Sequence, residues 1–254
     1  MNTTPPLTVE SILEAEERIN RLVDEIYVDE RGKAEPIYDG VVNPSLYLAA
    51  PIRVMWFLKE PWDGDGSSGG WWSLCSDHLN AKPVGDLGHA TFHPIIYIMY
   101  GLFHGVHEYD DMPWVRDMSD PETLIRSIAL VNAKKLPGVK RGAYGPTIMH
   151  WYEKARHILR MQIEAYAPQV IFGCSPHFPA LMRDLSPNGQ PTEVRTFKSA
   201  DYMCHGNLLL VHVYHPGQTQ ISRERYVNDA IGAYLQGVSS KQPPFAEHDV
   251  SSEK

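Results

Sequence analysis

Three short stretches carry side chains that can do chemistry together. They are Lys59, Glu60, Pro61, Trp62 and Asp63 in LKEPWD, Asn132 in ALVNAKK, and His215, Pro216, Gly217 and Gln218 in VYHPGQ. Glu60 offers a carboxylate, Asn132 a carboxamide with both a donor and an acceptor, and His215 an imidazole. If they converge on one crevice, the carboxylate can position water, the carboxamide can read a polar ring edge, and the imidazole can stabilise a developing anion. Each also has a plainer reading. Glu60 can cap its loop or pair with Lys59. Asn132 can close a turn, and His215 can be a hydrogen-bonded loop histidine.

A sheet is what would hold these residues at one edge. Residues 52–58 (IRVMWFL) form an almost unbroken apolar run, as a strand covered on both faces requires. Similar runs occur at 127–132 (SIALVN), 170–173 (VIFG) and 208–214 (LLLVHVY). Between them the spacing predicts helices: 8–29 with Thr8 as cap, a short one over 44–49, 88–105, one opening at Asp120-Pro121, 146–166 closed by Pro168, and 221–236. This alternation predicts an α/β, three-layer sandwich with a central, mostly parallel four-stranded sheet flanked by helices. Ligands bind such sheets beyond the carboxyl ends of the strands. The segments there are KEPWDGDG, NAKKLPG, CSPHF and HPGQ. Residues 1–50 read as an N-terminal helical segment packed on the core, 51–236 as the α/β domain, and 237–254 as a polar, disordered tail.

At 254 residues the chain suits one domain with a substantial core. A net charge of −8 argues against tight, non-specific duplex binding, though not against a local basic groove. Lys134, Lys135, Lys140 and Arg141 form the basic cluster beside the crevice. They are either a solvated loop or phosphate contacts. No apolar run approaches a membrane span, and the first residues have neither the basic start nor the apolar core of a secretory signal. A cytoplasmic monomer is expected. Cys75, Cys174 and Cys204 form no CxxC pair and read as buried free thiols. His89 and His93, His104 and His107, and His212 and His215 are closely spaced but join no carboxylate-rich set, so no metal site is expected. In a strand His212 and His215 face opposite sides, and His212 reads as a satisfied core residue. Gly64, Gly66, Gly69 and Gly70 read as a flexible lid, since no GK[ST] follows to make a phosphate cradle.

In order and placement these motifs resemble the uracil-DNA glycosylase superfamily. Its first motif is a strand followed by a G-Q-D-P-Y-like loop, matched by Leu58, Lys59, Glu60, Pro61 and Trp62. A strand ending in asparagine follows, as at Asn132, then an apolar strand ending in glycine, as in VIFG. The last motif is a strand leading into His-Pro-Ser, with Gly217 here in the serine place. The resemblance covers roughly residues 50 to 236. It implies metal-independent, cofactor-free cleavage of an N-glycosidic bond to uracil or another damaged base. Glu60 and His215 would be catalytic, with Asn132, Lys59, Asp63 and Trp62 around the base and Trp62 walling off its 5-position. Phe92 would stack on the base, with Trp71 as the alternative. Lys134, Lys135, Lys140, Gly217 and Gln218 would meet single- or double-stranded DNA. The departures, Glu60 for aspartate and Gly217 for serine, leave open a free nucleoside or nucleotide as substrate. They equally leave open a non-catalytic protein that binds a nucleobase-containing ligand.

Overall fold

The computed structural model describes residues 6–30, 34–62, 69, 72–138, 145–186, 189 and 193–241. The expected strands appear as β2 (Val54–Leu58), β3 (Ile128–Asn132), β4 (Val170–Gly173) and β7 (Leu208–His212), all parallel and ordered β3-β2-β4-β7. The sheet is nevertheless seven-stranded and mixed, which corrects the four-stranded, mostly parallel expectation. β1 (Gly40–Val41) adds antiparallel to β3 at one edge. β6 (Ala200–His205) and β5 (Arg195–Phe197) add antiparallel beyond β7. These edge strands carry little periodic signal, because β1 has two residues and β5 three, mostly exposed.

Side chains alternate across the pleat into two cores. Val54, Trp56 and Leu58 of β2 pack with α3 (His89–His104), α4 (Pro121–Arg126) and α7 (Arg223–Lys241). Met55 and Phe57 face the opposite way, toward α1 (Val9–Ile26), α5 (Gly145–Tyr166) and α6 (Phe178–Leu185). α2 (Pro44–Ala49) contributes the buried Tyr47 to that second core. Helix starts obey local chemistry. The Thr8 hydroxyl accepts from Ser11 N–H at 3.1 Å while Ser11 Oγ accepts from Thr8 N–H at 2.9 Å, a reciprocal capping box. Asp120 caps α4 ahead of Pro121 by accepting from Thr123 N–H at 3.1 Å.

Two boundaries move. Residues 1–50 are more than a helical segment packed on the core, because β1 belongs to the sheet. α7 runs to Lys241, so the start of the expected tail at 237 is helical; 242–254 lie outside the described residues. Among the described residues no helix is long and apolar enough to cross a membrane. All three thiols are free; Cys75 and Cys174 are buried, whereas Cys204 is only half-buried.

Candidate functional site

The chain leaves β2, forms β3 on one side of it, and then returns to form β4 on the other. At such a switch the loops leaving adjacent strands part to opposite faces and open a crevice. Lys59-Glu60-Pro61-Trp62 leaves β2 there, Cys174–His177 leaves β4, and the turn containing His215 follows β7.

The turn after β7 is well specified. Gly217 N–H donates to His215 Nδ1 at 3.1 Å, and Gln218 N–H donates to His215 O at 2.9 Å. A ring nitrogen that accepts a backbone N–H carries no proton, so in the neutral imidazole Nε2 is the donor. Burial first, and then the charge of Lys59, push His215 down to about 4, so the ring is neutral near pH 7. Tyr226 on α7 supports the turn by donating to Tyr214 O at 3.0 Å. Gly217 allows a close approach: a Cβ there would lie 3.0 Å from Thr91 Oγ1 in the first turn of α3, so a larger residue would require the threonine to shift. The neighbouring Phe92 is half-buried at the end of an aromatic row formed with His78 and Trp72.

Lys59 is half-buried, and its charge reaches His215, His177 and Cys174 at the same end of the sheet. Asn132 is 3% exposed, and its register opposite Leu58 sets it on the face packed by α3 and α7. Its Nδ2 is buried without a hydrogen-bond partner, an orphan donor that protein interiors rarely leave. A void of about 10 Å³ borders Asn132 and Lys135 on the α5 side, room for about one water and far too small for a base.

Several expected roles change. Glu60 is not paired with Lys59; its Oε2 accepts from Lys134 Nζ at 2.6 Å, with both side chains nearly buried. Its Oε1 lies against Gly138, where a Cβ would be only 2.6 Å away. The carboxylate thus clasps two loops already joined by Lys134 N–H to Lys59 O and Gly138 N–H to Pro61 O, both at 2.9 Å. Lys134 and Lys135 face inward instead of meeting DNA phosphates. Lys135 Nζ donates to Asp39 Oδ1 at 2.6 Å, and Asp39 also accepts from Gln162 Nε2 at 3.0 Å and from Asn132 N–H at 2.8 Å. Gln218 is likewise no free DNA contact: its Oε1 accepts from Gln220 and Ile221 N–H and its Nε2 donates to Ile221 O. Trp62 is 49% exposed, not the packed wall expected at a base 5-position. Asp63, Gly64, Gly66, Gly70, Trp71, Lys140 and Arg141 lie outside the described residues. No direct contact joins Glu60, Asn132 and His215 among the described residues.

Asp39, Gln162 and His177 carry no motif and escaped the sequence reading. His212 is satisfied as expected, its Nε2 within 2.8 Å of Ser175 Oγ and its Nδ1 3.5 Å from Asp201 Oδ2. This row has the order of a nucleophilic triad, but the residue after Ser175 is Pro176, which lacks the N–H that an oxyanion hole there would use.

Three histidines, His177 fully and His93 and His215 partly buried, set an acid limit. His177 is pushed down to about 3 by burial, despite the hydrogen bond to Phe57 O, while His93 and His215 sit at about 4. Unfolded imidazoles take up protons near 6.5, so below that pH the unfolded state binds more protons than the native one. Their contribution to stability is complete above about pH 6.5 and falls as pH drops toward about 4. Glu16 works oppositely: burial raises it to about 7, so its contribution is complete below about 4.5 and fades as pH rises through 7. We expect denaturant unfolding to show stability declining between pH 6.5 and 4.5, with a shallower decline in His177→Leu. An identical slope would mean that His177 is not held neutral.

By fold and site, then, this is an α/β protein with a mixed sheet whose polar loops gather at the carboxyl edge of its parallel strands. Comparison with protein-family models finds no match, and comparison with curated proteins finds none either.

Proposed function

We propose that the chain is an N-glycosidase of the uracil-DNA glycosylase type, a cytoplasmic, monomeric, metal-independent hydrolase acting in DNA repair on uracil or another damaged base. The observation that carries this reading is the fixed tautomer of His215, with Nδ1 occupied by Gly217 N–H at 3.1 Å. As the bond from the anomeric carbon to the base nitrogen breaks, its electron pair moves onto the base. The Nε2–H of His215 donates to the base oxygen where that charge collects. Lys59 adds a cation within electrostatic reach of the same imidazole. Asn132 holds the orphan Nδ2 donor that would meet a base carbonyl, which requires its buried side chain to open toward the ligand. Glu60, the sole acid in the loops 59–62, 133–138, 174–177 and 213–218, is the group able to orient the attacking water.

The pairing of Glu60 with Lys134 favours a second reading, a protein that binds a nucleobase without cleaving it. The net charge of −8 favours a free nucleoside or nucleotide over a DNA duplex as the thing held. One experiment separates these: labelled uracil-containing single and double strands are incubated with the protein, then cleaved with alkali at abasic sites. Cleavage is expected for the wild type and loss of most turnover for Glu60→Gln, with the circular dichroism spectrum retained. If the wild type cleaves neither strand form, the DNA-glycosylase reading fails. Turnover preserved in Glu60→Gln would remove Glu60 from the mechanism.

A further inference from the structure

A second cavity, of about 700 Å³, opens between the first two turns of α3 and the segment leading into α4, with Arg223 at the start of α7 closing one side. Its walls are chemically uneven. One wall combines an imidazole pair with an arginine: His89 and His93 stack at 4.3 Å, and the charge of Arg223 reaches both His93 and Tyr97. Arg223 has no hydrogen-bond or ion-pair partner among the described residues. Arg116 lines the cavity too; its contact to Asp117 at 3.6 Å is between well-exposed side chains and so holds it weakly. Burial above all, then the neighbouring His89 and Arg223, disfavours a charge on His93, so the positive charge of this wall is carried by the guanidinium groups.

The rest of the lining narrows the ligand. A cavity of about 700 Å³ is far larger than a bare anion needs and falls within the range of organic-ligand sites. Trp114 is 61% exposed beside it, a flat surface on which a ring can stack. Tyr97, Val115 and Met118 are buried and give it an apolar floor. Glu122 also lines it, with Oε1 accepting from Val84 N–H at 3.1 Å. An ionised carboxylate only accepts, so its Oε2 calls for an N–H or O–H on the ligand.

We propose that this cavity binds a nucleotide unit, with the phosphate on Arg223 and Arg116, the base against Trp114, and a sugar hydroxyl or ring amine facing Glu122. Guanidinium forks match phosphate oxygens in pairs, which favours phosphate over a lone carboxylate. The unit can be a free nucleotide or one residue of a single strand, and the cavity shares the first turn of α3 with the turn around His215 without sharing its residues. The inference does not depend on glycosidic cleavage.

Isothermal titration of the full chain with 5′-AMP, 5′-UMP, adenosine, inorganic phosphate and an oligo-dT single strand tests it. Mononucleotides or the strand should bind, with adenosine and inorganic phosphate weaker by roughly tenfold or more, as expected for losing a charge-assisted contact or a stacked ring. Arg223→Ala and Trp114→Ala should each weaken binding by about tenfold, whereas Arg18→Ala, at an exposed arginine on α1, should leave it unchanged. A strand that binds more tightly than mononucleotides and weakens steeply with salt identifies the strand as the source, and equal affinity identifies the free nucleotide. Absence of binding by every nucleotide and strand at millimolar concentration would overturn the proposal. So would affinity unaffected by Arg223→Ala and Trp114→Ala. Affinity lost only in His215→Ala would move nucleotide binding to the crevice, supporting the hydrolase site and sinking this one.

Discussion

Asp39→Ala should lower the free energy of unfolding by about 3–5 kcal/mol, the cost of leaving a buried charge without its partner. The side chains of Asp39 and Lys135 are 1% and 3% exposed, so Lys135 would keep only Gln162 Oε1, at 3.4 Å. The same carboxylate accepts Asn132 N–H, so its loss also frees the last residue of β3. Replacing both members by apolar groups, Asp39→Leu with Lys135→Met, should recover much of the loss, because removing a buried pair together is often close to neutral. Urea unfolding of the single and double variants at pH 7 reads this directly. A single-variant cost below about 1 kcal/mol would place the pair in the range of solvated surface bridges. The pair also bears on function, since the loop 133–138 that it fixes holds Lys134 against Glu60.

His215→Ala should slow base release on the order of 10²–10³-fold, the usual consequence of deleting one donor to a developing anion. Fold and unfolding midpoint at pH 7 should change little, because the imidazole accepts only one backbone bond, from Gly217. Its pKa of about 4 adds a second signature. A donor already neutral across pH 5–8 gives no inflection near 6.5 in the rate profile. A wild-type inflection near 6.5, or wild-type kinetics in His215→Ala, would show that this imidazole does not meet the leaving base.

What the chain reveals unfolded is what repeats locally. Unbroken apolar runs announced β2, β3, β4 and β7, since a strand covered on both faces needs apolar residues at every position. Caps at Thr8 and Asp120 are legible because the bonds they make span three residues. From parallel strands alone it follows that Glu60, Asn132 and His215 lie at one edge of the sheet. Partner choice was not legible. Glu60 stands beside Lys59 in the chain yet pairs with Lys134, 74 residues away, because the parallel register brings the loops after β2 and β3 together. Lys134 and Lys135 read as part of a basic cluster, either solvated or in contact with phosphates, and only the packing of 133–138 under Tyr27 and Asp39 turns both inward. Asp39 and Gln162 are 123 residues apart and follow no motif. The cavity between α3 and Arg223 is equally invisible, since its walls come from segments that meet only when α3, α7 and the approach to α4 dock on one face of the sheet. Periodicity and capping belong to neighbours along the chain, whereas charge pairing and cavities belong to neighbours in space, and those exist only once the sheet has set its strand order.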